Sequence, residues 1–150
     1  MKTVICTAFF ALVSYVSVAQ IKLPVGFHCI LGVNHPNESY FTNGNTTFKT
    51  YPWGHEGISG LEVVNVLQTE QLKFQKTKDN LYWATGKVEG KYIYIVLADG
   101  MIQFTVTSNK NDNTFSDYCT WMLKEIRREV ATTDELYFTD FNGKGCFGIK

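Results

Sequence analysis

Histidine is scarce in this chain of 150 residues: His28, His35 and His55 are the full set, and none follows position 55. A mechanism that needs a second imidazole from the later part of the chain is therefore excluded, as is a histidine-rich metal centre. Cysteine is nearly as sparse, with four residues, of which Cys6 lies in an apolar leader. The remaining three, Cys29, Cys119 and Cys146, form no Cys-x-x-Cys pair and have no histidine cluster beside them, so they lack the spacing of zinc ligands. No metal and no cofactor are expected. Charge of one sign is also missing, since 14 basic side chains meet 14 acidic ones. No overall field draws the protein to nucleic acid or to a membrane, so any RNA binding has to be local. The chain holds no Gly-x-Ser-x-Gly elbow, no His-Glu-x-x-His helix and no phosphate-cradling glycine loop. It shows no internal repeat and no linker, and no second apolar run of bilayer-spanning length follows the first.

What is present begins with that first run. Lys2 supplies a positive charge, Val4 to Val18 is almost wholly apolar, and the small residues Ser17 and Ala19 stand three and one positions before a cut after Ala19. This is the pattern of a cleavable secretion signal over residues 1–19, leaving Gln20 as the mature N-terminus. The expected product is secreted and not membrane-bound. About 130 residues are enough to enclose one core. Export permits a disulfide among Cys29, Cys119 and Cys146 with one thiol left over, and three pairings are open on sequence alone.

The patterning predicts a β-rich domain. A first strand is expected around Val25 to Val33, and the Asn-rich segment Asn34 to Thr47 reads as an exposed loop. That loop carries two glycosylation sequons, at Asn37 and Asn45. Strands are expected at Leu61 to Leu67, Gln71 to Lys76 and Leu81 to Thr85, the last two joined by a turn at Lys78-Asp79-Asn80. The clearest element is a hairpin, Lys91 to Leu97 then Met101 to Thr107, whose first strand is apolar on both faces and so belongs inside a sheet. Phe115, Tyr118, Met122, Leu123, Ile126 and Val130 recur at spacings of three and four, which predicts an amphipathic helix capped by Thr114 or Ser116. Lys124, Glu125, Arg127, Arg128 and Glu129 form its solvated face. Glu135 to Phe141 and Lys144 to Ile149 should form a hairpin through a type I′ Asn142-Gly143 turn.

Few residues are candidates for chemistry. His55, next to Glu56 and ahead of Glu62, could place an imidazole and a carboxylate on one surface for acid and base work on a hydroxyl. Tyr82, Trp83, Tyr92 and Tyr94 could stack on bases, although aromatics at strand spacing more commonly fill a core.

Three features taken together carry a family likeness: Phe27-His28-Cys29, an aromatic two positions before an early cysteine; the hairpin Lys91 to Thr107; and Cys119 after a polar loop. The stretch from Phe27 to Trp121 resembles the ribonuclease-like secreted effectors of powdery mildew fungi. The resemblance implies an α+β fold, a small antiparallel sheet packed with a helix like that of the small guanyl-preferring fungal ribonucleases. It divides the chain into a signal (1–19), a ribonuclease-like domain (20–121) and a C-terminal helix and hairpin extension (122–150). It implies a disulfide between Cys29 and Cys119, with Cys146 as the competing partner.

The ribonuclease parents use a His shortly after a Tyr-Pro pair, a Glu on the following strand, an Arg opening the central hairpin and a second His at its end. The matching positions here are Tyr51-Pro52 with His55 two places late, Glu62, Lys91 where Arg is expected, and Thr107 or Ser108 in the place of the second His. A threonine hydroxyl cannot replace imidazole as an acid near neutral pH. The resemblance therefore implies a vestigial site at Tyr51, His55, Glu62, Lys91 and Thr107 and no catalysis. It describes a monomeric virulence effector of a plant pathogen, secreted and then acting in the host cytoplasm. Its partners would be RNA, host proteins or an immune receptor. The family carries a helix soon after the first strand, whereas Asn34 to Phe48 is poor helix sequence. Two alternatives remain: an active secreted ribonuclease using His55, Glu62 and Lys91, and a lipocalin-like closed antiparallel β-barrel that carries a small ligand.

Overall fold

The computed structural model describes residues 18–30, 38–51, 60–98, 102–130 and 135–146. The fold is α+β, a seven-stranded antiparallel sheet with a helix on each side. Its strands are β2 (His28–Cys29), β3 (Ser39–Thr42), β4 (Thr46–Tyr51), β5 (Gln75–Lys76), β6 (Leu81–Val88), β7 (Lys91–Ala98) and β8 (Ile102–Ser108). They lie in the order β2-β3-β4-β8-β7-β6-β5, so β2 and β5 are free edges and no barrel closes. The helices are α1 (Gly60–Leu67) and α2 (Asn113–Val130), and a separate parallel pair joins β1 (Val18–Lys22) to β9 (Glu135–Thr139).

The expected hairpin is β7 and β8, paired from Tyr92 with Ser108 to Ala98 with Ile102. Alternation along these strands divides the sheet into two faces. Tyr94, Val96, Phe104 and Val106 turn to one core, which α2, β1 and β9 cover with Phe115, Met122, Ile126, Ile21 and Phe138. Phe48 of β4 is fully buried there, its ring edge-to-face with Phe27, Tyr118, Trp121 and Phe138. Ile95 and Leu97 turn the other way, onto Val63 and Val64 of α1 with Leu72 and Ala84. Gly86 in β6 is required on that side: a Cβ there would stand 2.2 Å from the backbone oxygen of Gln71.

Several elements differ from the sequence expectation, each for a physical reason. Leu61 to Leu67 is a helix because Val63, Val64 and Leu67 meet the second core at helical spacing. Burying such side chains is worth about 1.5–3 kcal/mol each, more than the tenths lost to β-branched helix propensity. The Asn-rich stretch is not one long loop. It holds β3 and β4 around a turn in which Asn43 Oδ1 accepts the Asn45 and Thr46 amides. Asn45 sits exposed in that turn, while Asn37 lies outside the described residues. Of the expected first strand, residues 31–33 lie outside the described residues and the described part pairs only at the two residues of β2; Gln71 to Lys76 shrinks to the two of β5.

The cap of α2 is Asp112, whose Oδ1 accepts the Phe115 amide at 3.0 Å, rather than Thr114 or Ser116. At Asn142-Gly143 only the glycine has positive φ, so the turn is not type I′. Asp140 Oδ1 instead accepts the Asn142 and Lys144 amides, and β9 pairs with β1. Among the described residues, the two-residue turn with both φ positive is Glu89-Gly90, between β6 and β7.

The disulfide joins Cys29 to Cys146, across 117 residues, and Cys119 is a free thiol. The expected Cys29–Cys119 pairing is thereby corrected. Cys119 lies on α2 beneath the sheet, while Cys29 sits on the edge strand β2, which the tail after β9 reaches. Residues beyond 121 are no appendage: the expected boundary falls inside α2, and Met122, Ile126, Leu136 and Phe138 belong to the main core. Cutting after Ala19 would leave Gln20, Ile21 and Lys22 paired with Tyr137, Phe138 and Thr139.

Candidate functional site

The strand alternation that sends Phe41, Phe48, Phe104 and Val106 into the main core puts their neighbours on the opposite face. That face carries Tyr40 and Thr42 of β3, Thr47, Lys49 and Tyr51 of β4, and Gln103, Thr105 and Thr107 of β8. The register sets them in rows across the strands: Tyr40, Lys49, Thr105; Thr42, Thr47, Thr107; and Tyr51, Gln103. Each row ends at β7 on Ile95, Ile93 or Leu97, the apolar ground on which α1 and its neighbours pack. One half of this face is thus a small core and the other half is polar.

Glu38, just before β3, organises the polar half. Its side chain is only 5 % exposed, and its carboxylate accepts the Tyr40 hydroxyl at 2.6 Å while pairing with Lys49 Nζ at 3.0 Å. The ammonium lies 4.9 Å from the Tyr40 ring centroid and 5.8 Å from that of Tyr51, within cation–π range. Gln103 Nε2 donates to Thr105 Oγ1 at 3.0 Å. Burial, and then the hydrogen bond to Glu38, raise the Tyr40 pKa above its ordinary 10.0. Burial lowers that of Lys49, but the hydrogen bonds to Tyr40 and Glu38 outweigh it and the net shift is upward from 10.5. At neutral pH the phenol keeps its proton and the amine its charge, so neither is poised to exchange a proton. Gln103 and Thr105 are buried and bond to each other, so what the arrangement offers for recognition is two half-buried rings flanking a fixed cation, with the half-buried hydroxyls of Thr47 and Thr107 at strand spacing.

The expected site residues are partly brought together. Tyr51 and Thr107 share the polar face, two rows apart on neighbouring strands. Lys91, exposed, is the first residue of β7 and pairs with Val88 at the β6–β7 turn, one step beyond the row of Ile93 and Thr107. Glu62 does not lie on a strand; it is exposed in the first turn of α1. His55, Glu56 and His35 lie outside the described residues, and His28 is exposed on β2 beside the disulfide. Of the expected stacking residues, Tyr94 and Trp83 belong to the main core, Tyr92 tilts against Phe115 within it, and Tyr82 borders the second.

Sequence reasoning missed Glu38, Tyr40 and Lys49. The signal was Glu38-x-Tyr40 and Lys49-x-Tyr51 at period two on either side of an Asn-Gly-Asn turn, the pattern of a hairpin with one polar face. Among the described residues no group of three or more His, Cys, Asp and Glu is placed to hold a metal ion, and no helix is long and apolar enough to cross a membrane. No family model, curated protein or solved structure matches the chain.

Proposed function

We propose that this chain is a secreted fungal effector of the ribonuclease-like kind that binds without cutting, taking single-stranded RNA of the host on the polar half of its sheet. The observation that carries the reading is the Glu38–Tyr40–Lys49 cluster. Its carboxylate is committed to two partners, and the half-buried rings of Tyr40 and Tyr51, with the Thr47 and Thr107 hydroxyls beside them, suit unstacked bases. The early cysteine of Phe27-x-Cys29 is in a disulfide, though with Cys146 rather than the Cys119 that the resemblance implies, and a helix packs on an antiparallel sheet as the resemblance expects. The long helix, however, follows the sheet, and β3 and β4 stand where the family carries one. Thr107 or Ser108 stands at the end of the hairpin where the nucleases keep an imidazole, and no histidine of the sequence lies beyond position 55.

A host protein, an immune receptor included, is the second reading. The charge neutrality of the cluster and of the whole chain favours it, because Lys49 already has its counterion.

The test is incubation of the exported protein with single-stranded RNA in metal-free buffer, reading strand length and bound fraction together. Intact strands and reversible binding that weakens roughly 5- to 150-fold in Tyr51→Ala, the worth of one stacked base, are expected. The salt dependence should be shallow, because one lysine displaces few counterions. Cleavage that disappears in His55→Ala would overturn the reading in favour of an active ribonuclease. Absence of binding would turn it to the protein partner.

A further inference from the structure

We infer that the exported protein carries a cyclised N-terminus, with Gln20 converted to a pyroglutamyl lactam; this rests on the secretion reading and its cut after Ala19. Residue 20 is the one position near that cut whose side chain can close on its own amine. Once the Ala19–Gln20 bond is hydrolysed, the Gln20 α-nitrogen attacks its own Cδ, forming the N–Cδ bond. The Cδ–Nε2 bond breaks, and Nε2 takes a proton from the amine and leaves as ammonia. No oxidant, metal or second substrate is needed.

The surroundings of Gln20 favour the product. Gln20 is exposed on β1, so the lactam meets no packed side chain. Its side chain runs along the open side of the strand with that of Lys22. Gln20 Oε1 and Lys22 Nζ each lie 3.9 Å from where a Cβ on Gly143 would sit, and Gln20 Nε2 donates to the Tyr137 hydroxyl at 2.8 Å. A free terminal amine, with an ordinary pKa near 8, would be largely charged at neutral pH and would set a second cation two residues from Lys22. Cyclisation removes that charge, as other terminal modifications do. It keeps a ring carbonyl and leaves Ile21 and Lys22 to pair with Phe138 and Thr139. The Tyr137 hydroxyl loses one donor at an exposed site, where water replaces it at little cost. The lactam also closes the chain end to aminopeptidases, which suits a protein that works outside the cell that made it.

The experiment is mass spectrometry and stepwise N-terminal degradation of full-length protein secreted from a eukaryotic host, with Gln20→Ala alongside. The expected N-terminal peptide begins at residue 20, weighs about 17 Da less than the glutaminyl form through loss of ammonia, and resists degradation. Gln20→Ala should begin at the same position and degrade normally. A wild-type peptide that starts at residue 20 with an open amine would overturn the inference and leave secretion intact. A block that persists in Gln20→Ala would overturn it too. A chain that starts elsewhere, or keeps residues 1–19, would overturn the cut itself.

Discussion

On the α2 side of β4 and β8, Phe48, Phe104 and Val106 are fully buried among aromatic rings. One residue along the same strands, Lys49 and Thr105 meet a nearly buried carboxylate and a glutamine amide. The first face is held by apolar area and shape, which are indifferent to direction and costly to remove. The second is held by a few directed bonds whose net worth is small, because water competes for every partner. Stability should therefore reside on one side and recognition on the other, in residues that are sequence neighbours.

The sharpest way to break that comparison is to truncate both members of a neighbouring pair. Phe48→Ala should lose about 3–5 kcal/mol in denaturant unfolding, as large aromatic deletions from a core do. Lys49→Ala should lose only about 1–3 kcal/mol, the cost of leaving Glu38 short of one partner, while removing most of the binding. Equal losses would mean that the polar face is structural.

The disulfide sharpens the comparison at the sheet edge. Cys29→Ser and Cys146→Ser should each cost about 2–5 kcal/mol, whereas Cys119→Ala should change stability far less. A chain in which Cys119 resists thiol labelling even when unfolded, while Cys146 labels, would contradict the pairing.

An alkaline titration reads mainly the core side, where the shifts are largest, with a smaller part from Tyr40 on the polar face. Burial pushes the Cys119 thiol up to about 12 from 9.0, and the Tyr94 phenol up to about 12 from 10.0. Both are raised in the folded state, so their contribution is complete below the unfolded values and is lost as pH climbs toward 12. Unfolding free energy should fall from about pH 9 upward, and Cys119→Ala should delay the onset toward pH 10. The smallest effect belongs to the exposed pair of Arg127 with Asp79, 2.9 Å apart, between α2 and the β5–β6 turn. Arg127→Ala should cost at most about 1 kcal/mol and fade in salt.

The face that stability depends on was also the readable one. Phe115 to Val130 announces α2 by its spacing, and Tyr92 to Val106 announces the β7–β8 hairpin by an apolar run followed by alternation, because burial on a regular element leaves a period in the sequence. The other side was misread. Leu61 to Leu67 is too short and too β-branched for its helix to be visible without Ile95 and Leu97 beneath it. Asn43-Gly44-Asn45 looks like loop composition, although it turns one strand onto the next. The β1–β9 pairing and the Cys29–Cys146 bond join the two ends of the domain, and such contacts leave no local trace. Tyr51 and Thr107 were named only through the family resemblance, and Glu38 and Lys49 were not named at all, because a salt bridge across a hairpin depends on register.

The most direct test of this division is an amide NMR titration of the isotopically labelled protein with a short single-stranded RNA. Perturbations confined to Tyr40, Thr47, Lys49, Tyr51 and Thr107, with the α2 surface of Lys124, Arg127 and Arg128 unmoved, are the predicted result. Perturbations centred on α2, with the polar face of β3, β4 and β8 silent, would contradict it.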